Sequence, residues 1–486
     1  MNATFAVNSY EAKRIPTPRV AIYIIVGIII SLLLSVALDL PITLGLILGA
    51  QLTLLSLVIY RRVFLVAALL VGQLTVSNYM IYVAGTPISV RFLWTIIAVV
   101  FLFFIHFRER KTILGKRGWK VLTPALLLVV CAIISNLINT NMDYTLQYLR
   151  TAATSLVIIL LIPAVIEEER DVKILGLTAL ITCSISAVFA ILQHFHIGLL
   201  PISLTIFGSN NFAGTRAIGL NDSPVDLSFT LPLILLPAIA LFFFKGINDR
   251  YRVLLVLAIV AMAAAEYFSY TRSGMYAMGA GLIALPLFMK SKMRTQIFLA
   301  ALVLIAGFII YTDMKNNRYT GGVTNESSAA GRLVLWQAGA KIAMSSPVLG
   351  IGGQAFKEAA QEYISSVSYN PSVVQAEEVL GVEQPHNDFL RTWVSYGTVA
   401  LIALVWLLIM IFRNFLISYR FLTTRLGKGI ALGCFAAFVA YAVNAFTHNV
   451  IDEVALIWMF AGLSIALCKI AANQKKQKPQ QLKASE

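Results

Sequence analysis

Three side chains in this sequence have the types for chemistry on a charged, activated substrate. Arg216 lies in Gly214-Thr-Arg-Ala-Ile-Gly-Leu220 and Arg272 in Tyr270-Thr-Arg-Ser-Gly274. A guanidinium grips phosphate in a bidentate fork, and a pair of them matches the charge of a diphosphate. His386 lies in Gln384-Pro-His-Asn-Asp388. An imidazole with a pKa of about 6.5 is mostly neutral at pH 7 and can take a proton from a hydroxyl. Asp388 is near enough in the chain to orient it. Taken one at a time, each residue has a plainer reading. Either arginine serves equally as a helix-end cation that snorkels to the interface. A lone histidine is usually bonded to nearby backbone.

Other candidates are weaker. His194 and His196 form an H-x-H, but no further ligand type clusters beside them, and metal sites need three or four. His106 sits beside basic residues and reads as structural. His448, near Asp452 and Glu453, fits either a supporting role or a polar cap, and both stay open. The four cysteines, Cys131, Cys183, Cys434 and Cys468, all lie inside apolar runs and read as small core residues. There is no phosphate-binding glycine loop, no H-E-x-x-H and no G-x-S-x-G.

The elements that must position these residues are membrane helices. Of the 486 residues, 59% are hydrophobic and only 13% charged, against about a quarter charged in soluble domains. The mean hydropathy is +0.81. A hydrocarbon core of roughly 30 Å takes about 20 apolar residues per helix, and such runs recur from Val20 almost to the end. The reading is an all-α, polytopic integral membrane protein of about 12 to 14 transmembrane helices. Spans are expected at about 20–38, 42–60, 63–84, 91–107, 121–138, 151–166 and 173–193. Others follow at about 226–244, 253–270, 274–289, 296–311, 388–412, 429–447 and 451–470.

The net charge of +15 does not indicate nucleic acid, because the basic residues fall in short clusters between apolar runs. With the N-terminus inside, 28 of the 38 lysines and arginines fall on the cytoplasmic side. Residues 1–19 are then a cytoplasmic segment and 471–486 a basic cytoplasmic tail, expected to be disordered. Spans fill 20–311 and 389–470. Two external segments stand out, a loop at about 194–226 and a large one at 312–388, long enough to carry function. The second has helical content. Leu333, Trp336, Ala340 and Ala343 repeat at three- and four-residue spacing, with Gln337 and Lys341 facing away. Arg216, Arg272 and His386 share the external side, which has no ATP or nucleotide sugar. A donor there must bring its own activation, as a lipid-linked diphosphate does.

Taken in order, these segments resemble the O-antigen ligase superfamily, which also holds O-antigen polymerases and bacterial protein O-oligosaccharyltransferases. Arg216-Ala-Ile-Gly-Leu220 is similar to the family's R-x3-L, His386 to Gly397 to its H-x10-G, and Tyr270-Thr-Arg-Ser-Gly274 to its second arginine motif. Gly331-Arg-Leu-Val-Leu-Trp336 and Ser346-Pro-Val-Leu-Gly-Ile-Gly352 look like the start of its large external loop. The likeness covers roughly residues 210–465.

It implies a glycosyltransferase of the bacterial inner membrane with a periplasmic active site, needing no metal, cofactor or nucleotide. Arg216 and Arg272 would hold an undecaprenyl diphosphate-linked glycan donor, and His386 would act as base on an acceptor hydroxyl, with inversion. Arg332, Trp336, Asn387 and Asp388 would help bind substrate. Within the family the likeness favours O-antigen ligation to lipid A-core in lipopolysaccharide biosynthesis. A polymerase or a protein O-oligosaccharyltransferase is the alternative, and a lipid-linked glycan flippase or transporter the rival from another class. The family's ligases usually have twelve spans, which would make the first two here additional.

Overall fold

In hydrocarbon every backbone N–H and C=O must be bonded within its own segment, so long apolar runs become helices. The computed structural model describes residues 42–75, 80–83, 86–109, 113–140, 142–195, 216–221, 223–289, 326–365, 384–449, 451 and 456–484, with isolated positions at 25–33 and 292–297. In chain order the helices are α1 (Ile42–Ser56), α2 (Val63–Gln73), α3 (Val90–Glu109), α4 (Lys116–Asn139), α5 (Met142–Val165), α6 (Glu169–His194) and α7 (Pro224–Phe244). They continue with α8 (Asp249–Phe268), α9 (Arg272–Ala284), α10 (Glu326–Ser345), α11 (Phe356–Ser365), α12 (Asp388–Phe421), α13 (Arg425–Ala445) and α14 (Leu456–Ala484). Among the described residues, eight helices are long and apolar enough to cross a membrane: α4 to α8 and α12 to α14. Shorter apolar helices occupy Leu44–Ile59, Val63–Gln73 and Trp94–His106. Apart from those isolated positions, the expected spans 20–38 and 296–311 lie outside the described residues.

The core is a bundle in which α7 and α9 both pack on α13, while α12 lies against α4, α13 and α14. Its side chains are apolar on nearly every face, and α13 buries Ala431, Ala436, Ala437 and Ala440. Small residues let helices approach closely where lipid offers no hydrophobic drive of its own.

Helix α12 is broken near its start. Gly397 has φ 84° and ψ 177°, outside the helical region. The break frees carbonyls, and the Ser346–Gly353 segment of the large loop takes them up. Ile351 N donates to Val394 O at 2.9 Å and Gly352 N to Ser395 O at 3.0 Å, while Thr398 N donates to Pro347 O at 2.8 Å. A β-carbon on Gly397 would lie 2.0 Å from Val348 O, so only glycine fits. From α4, Ser135 Oγ also donates to Ser395 O at 2.6 Å, and Asn136 Oδ1 accepts from Gly353 N at 2.9 Å. The large loop is thereby fastened to the bundle.

Three expectations are corrected. The run at 63–84 is not one span: α2 stops at Gln73, and Met80–Val83 pairs antiparallel with Thr86–Ser89 as a small hairpin. Ile81, Tyr82 and Val83 favour strands, and Pro87 cannot continue a helix. The buried face of α10 carries Val334, Leu335, Ala338, Ile342 and Ala343, whereas Leu333 is 54% exposed. That face is chosen by what it meets, a small core with Phe356 and Ala360 of α11 and Val394 of α12. The tail is not disordered throughout, because α14 runs on to Ala484; Gln474, Lys475, Lys476 and Gln477 are good helix formers, and Pro479 lies in the last turns.

Candidate active site

The Arg216 motif is a short turn held by α6. Gln193 Oε1 accepts from Ile218 N at 3.1 Å and Gly219 N at 2.9 Å, and its Nε2 donates to Gly219 O at 3.1 Å. Ser186 Oγ accepts from Leu220 N at 3.0 Å. Gly219 has φ +60°, and a β-carbon there would meet Ser186 O at 2.6 Å. The turn is therefore fixed in place, and its arginine points across to the next hairpin. Arg216 Nε donates to Ser269 O at 3.0 Å and Nη2 to Thr271 Oγ1 at 2.9 Å. These bonds bring the first arginine motif against the second. Thr271 is the N-cap of α9 and Arg272 its first residue, so the positive end of the helix and a guanidinium coincide.

His386 precedes α12, whose N-cap Asn387 accepts from Leu390 N at 3.0 Å. The turn after α13 lies alongside it. Asn387 N donates to Asn449 Oδ1 at 3.1 Å, Ile451 N donates to Asp388 Oδ2 at 3.0 Å, and the His386 and His448 rings meet edge to face at 5.7 Å. The large loop adds two contacts. Trp336 Nε1 donates to Pro385 O at 3.1 Å, and Arg332 Nη2 lies 3.3 Å from His448 Nε2. His386 itself has φ 50°, a strained conformation for a non-glycine residue and one that recurs at functional sites. Tyr270, two residues before Arg272, has φ 49°.

The charges form one cluster. Burial lowers the pKa of Arg216. Burial, and then the charge of Arg272, does the same to Arg332. Burial and the Arg332 guanidinium hold His386 below the ordinary imidazole value. His448 is pushed down to about 3, by burial first and then by Arg332, His386 and Arg216. Among the described residues, Arg216 and Arg332 bond only to neutral groups, a carbonyl, a hydroxyl and an imidazole. At the opposite end of α2 and α6, Arg61 instead pairs with Glu168 at 3.0 Å and Asp171 at 3.4 Å. Among the described residues, then, Arg61 is paired with carboxylates at one end of the bundle, while Arg216 and Arg332 at the other are bonded to neutral groups.

Residues 257–405 match the family model described as O-antigen ligase. That stretch is an O-antigen ligase family domain. No curated protein matches the chain. The match supports, in broad terms, a membrane glycosyltransferase of the O-antigen ligase and polymerase kind, a class that works on lipid-linked glycans, and the eight apolar helices are those of a multi-pass membrane protein. The O-antigen ligase domain contains Arg272, Arg332, Trp336, His386, Asn387, Asp388 and Gly397. Arg216 and His448 lie outside it and are joined to it by the bonds above.

The sequence candidates thus meet, though not all in the same manner. Arg216, Arg272, Arg332 and His386 make the charged cluster. Trp336 and Asn387 brace its rim, and Asp388, which is 1% exposed, fastens α12 to the Asn449–Ile451 turn. His194 stacks on Phe268 at 4.0 Å. His196, Asp452 and Glu453 lie outside the described residues. Two polar residues that brace the elements around the cluster carry no motif in the sequence. Gln193 shapes the Arg216 turn, and no local pattern announces it. Glu266 is fully buried in α8 and accepts from Ser228 Oγ at 2.5 Å. A carboxylate inside an apolar run was its signal.

Proposed function

We propose that this protein transfers a glycan from an undecaprenyl diphosphate-linked donor to an acceptor hydroxyl on the periplasmic face of the inner membrane. Arg216 and Arg272 hold the diphosphate. His386 removes the hydroxyl proton as the acceptor oxygen attacks the anomeric carbon, and the diphosphate leaves with inversion. Arg332 adds positive charge, and Trp336, Asn387 and Asp388 shape and brace the cavity. The observation that carries this reading is the meeting of Arg216 with the Arg272 turn beside a histidine kept neutral by its surroundings. A base must be unprotonated to work, and a leaving diphosphate needs its charge matched.

O-antigen ligation to lipid A-core is the preferred reaction, on the likeness to both R-x3-L and H-x10-G. Repeat-unit polymerisation and transfer to a protein hydroxyl use the same chemistry with other acceptors. A deletion strain, with its surface glycans run on a gel, separates these. Free core plus lipid-linked polymer is the result expected for a ligase; core bearing a single repeat unit would replace that reading with polymerase. Arg216→Ala and Arg272→Ala should each abolish transfer in reconstituted membranes while the protein stays folded. Arg216→Lys keeps the charge but loses the fork, and should restore little. Normal transfer by either alanine variant would defeat the clamp.

A further inference from the structure

His448 lies outside the O-antigen ligase domain and outside every motif of the sequence, yet it touches the centre of the cluster. Its Nε2 is 3.3 Å from Arg332 Nη2, and its ring meets that of His386 at 5.7 Å. The ring of Phe229 from α7 packs against it at 5.1 Å, and the His448 backbone N–H is bonded to Asn444 O at 2.9 Å at the end of α13. The ring is thus held by neighbours from several elements. A guanidinium can only donate, so Nε2 must be the bare nitrogen and the proton must sit on Nδ1. An arginine bonded to a neutral imidazole keeps its full charge, which a carboxylate partner would have cancelled.

We infer that His448 is a positioning residue: its Nε2 holds the Arg332 guanidinium as a third fixed positive charge, matched to the negative charge that appears on the diphosphate as the glycan leaves. This rests on the donor reading above. In the donor the diphosphate is esterified at both ends and carries about two negative charges. The acceptor oxygen then bonds to the anomeric carbon, and the carbon–oxygen bond to the diphosphate breaks. Its electron pair stays on the phosphate oxygen, while the hydroxyl proton passes to His386. The released diphosphate is esterified at one end and carries about three negative charges. Two arginines match the ground state, and a third matches the charge gained on the way to products. A contact that strengthens only as the bond breaks raises the rate rather than donor affinity.

The pair is tested by binding two probes to the full-length protein in micelles: undecaprenyl diphosphate, and the same lipid with one sugar capping its diphosphate. His448→Leu should weaken the bare diphosphate roughly ten-fold or more, the scale of a hydrogen bond to a charged group. It should weaken the capped lipid by less than about three-fold. His448→Gln keeps an acceptor for Arg332 and should recover most of the loss. Arg332→Gln should mimic His448→Leu, and the double variant should be no worse than either, since one contact is lost in all three. Equal weakening of both probes, additive losses, or unchanged binding would overturn the assignment. Arg216→Ala is measured alongside. If it binds both probes like the parent, the donor clamp itself fails; if it loses both while His448→Leu loses neither, only the role of His448 falls.

Discussion

Burial and the Arg332 guanidinium together keep the His386 imidazole neutral into the acidic range. The working form of a base is the unprotonated one, so activity should fall only as pH drops through this lowered pKa. The acid limb of the rate profile is expected below the ordinary imidazole value of about 6.5. Removing the Arg332 charge with Arg332→Gln should raise the His386 pKa and move that limb toward higher pH, in addition to slowing the reaction. A limb that stays put in this variant would mean that another group titrates. At this scale the sequence singles out Arg216, Arg272 and His386, because each sits in a short ordered motif. His448 was not legible, since its tie to Arg332 crosses 116 positions in the chain. One hint was available: His386-Asn387 and His448-Asn449 repeat the same pair of residues, and the structure lays the two turns side by side.

Two glycines do their work on elements rather than on substrate. Gly397 breaks α12 and admits the Ser346–Gly353 segment, and Gly219 lets the Arg216 turn close on α6. A side chain at a positive φ costs about 1–3 kcal/mol before any clash is counted. Gly397→Ala should therefore lower the Tm and loosen the large loop, seen as faster proteolysis between Gly353 and Gln384. Gly219→Ala should displace Arg216 and weaken donor binding. Unchanged Tm and proteolysis in the first variant, or unchanged donor binding in the second, would show that the turns tolerate a β-carbon. The spacing from His386 to Gly397 thus acquires a structural meaning, the length of the half-helix between that histidine and the break. Helix positions were readable because apolar runs of membrane length have few other solutions. The buried face of α10 departs from its periodic one because α11 and α12 choose it, and neither partner can be inferred from the periodicity of α10 alone.

For the whole molecule, the asymmetry of charge partners matches the sidedness of the proposed function. Arg61, Glu168 and Asp171 close one end with ion pairs, while Arg216 and Arg332 at the other end keep neutral partners. The clustering of basic residues between spans leads us to expect that second end on the side away from the cytoplasm. Gln337 and Arg425 are exposed at positions that should lie on opposite sides. An impermeant thiol reagent should label Gln337→Cys in cells with a permeable outer membrane, and Arg425→Cys only after the inner membrane is opened. The reverse pattern would invert the topology. Lysine and arginine counting gives an expected orientation; the convergence of the first turn, the hairpin and the large loop was not legible, because it depends on contacts between distant helices.

The most direct test of the proposed chemistry pairs donor binding with turnover in one variant. His386→Ala, reconstituted with an undecaprenyl diphosphate-linked glycan and its acceptor, should bind donor within about two-fold of the parent, since the arginines remain. Its transfer rate should fall roughly 100- to 10,000-fold, the range for loss of a general base. Transfer at the parental rate would remove His386 from the reaction, and loss of donor binding would make it a ligand of the diphosphate instead of the base.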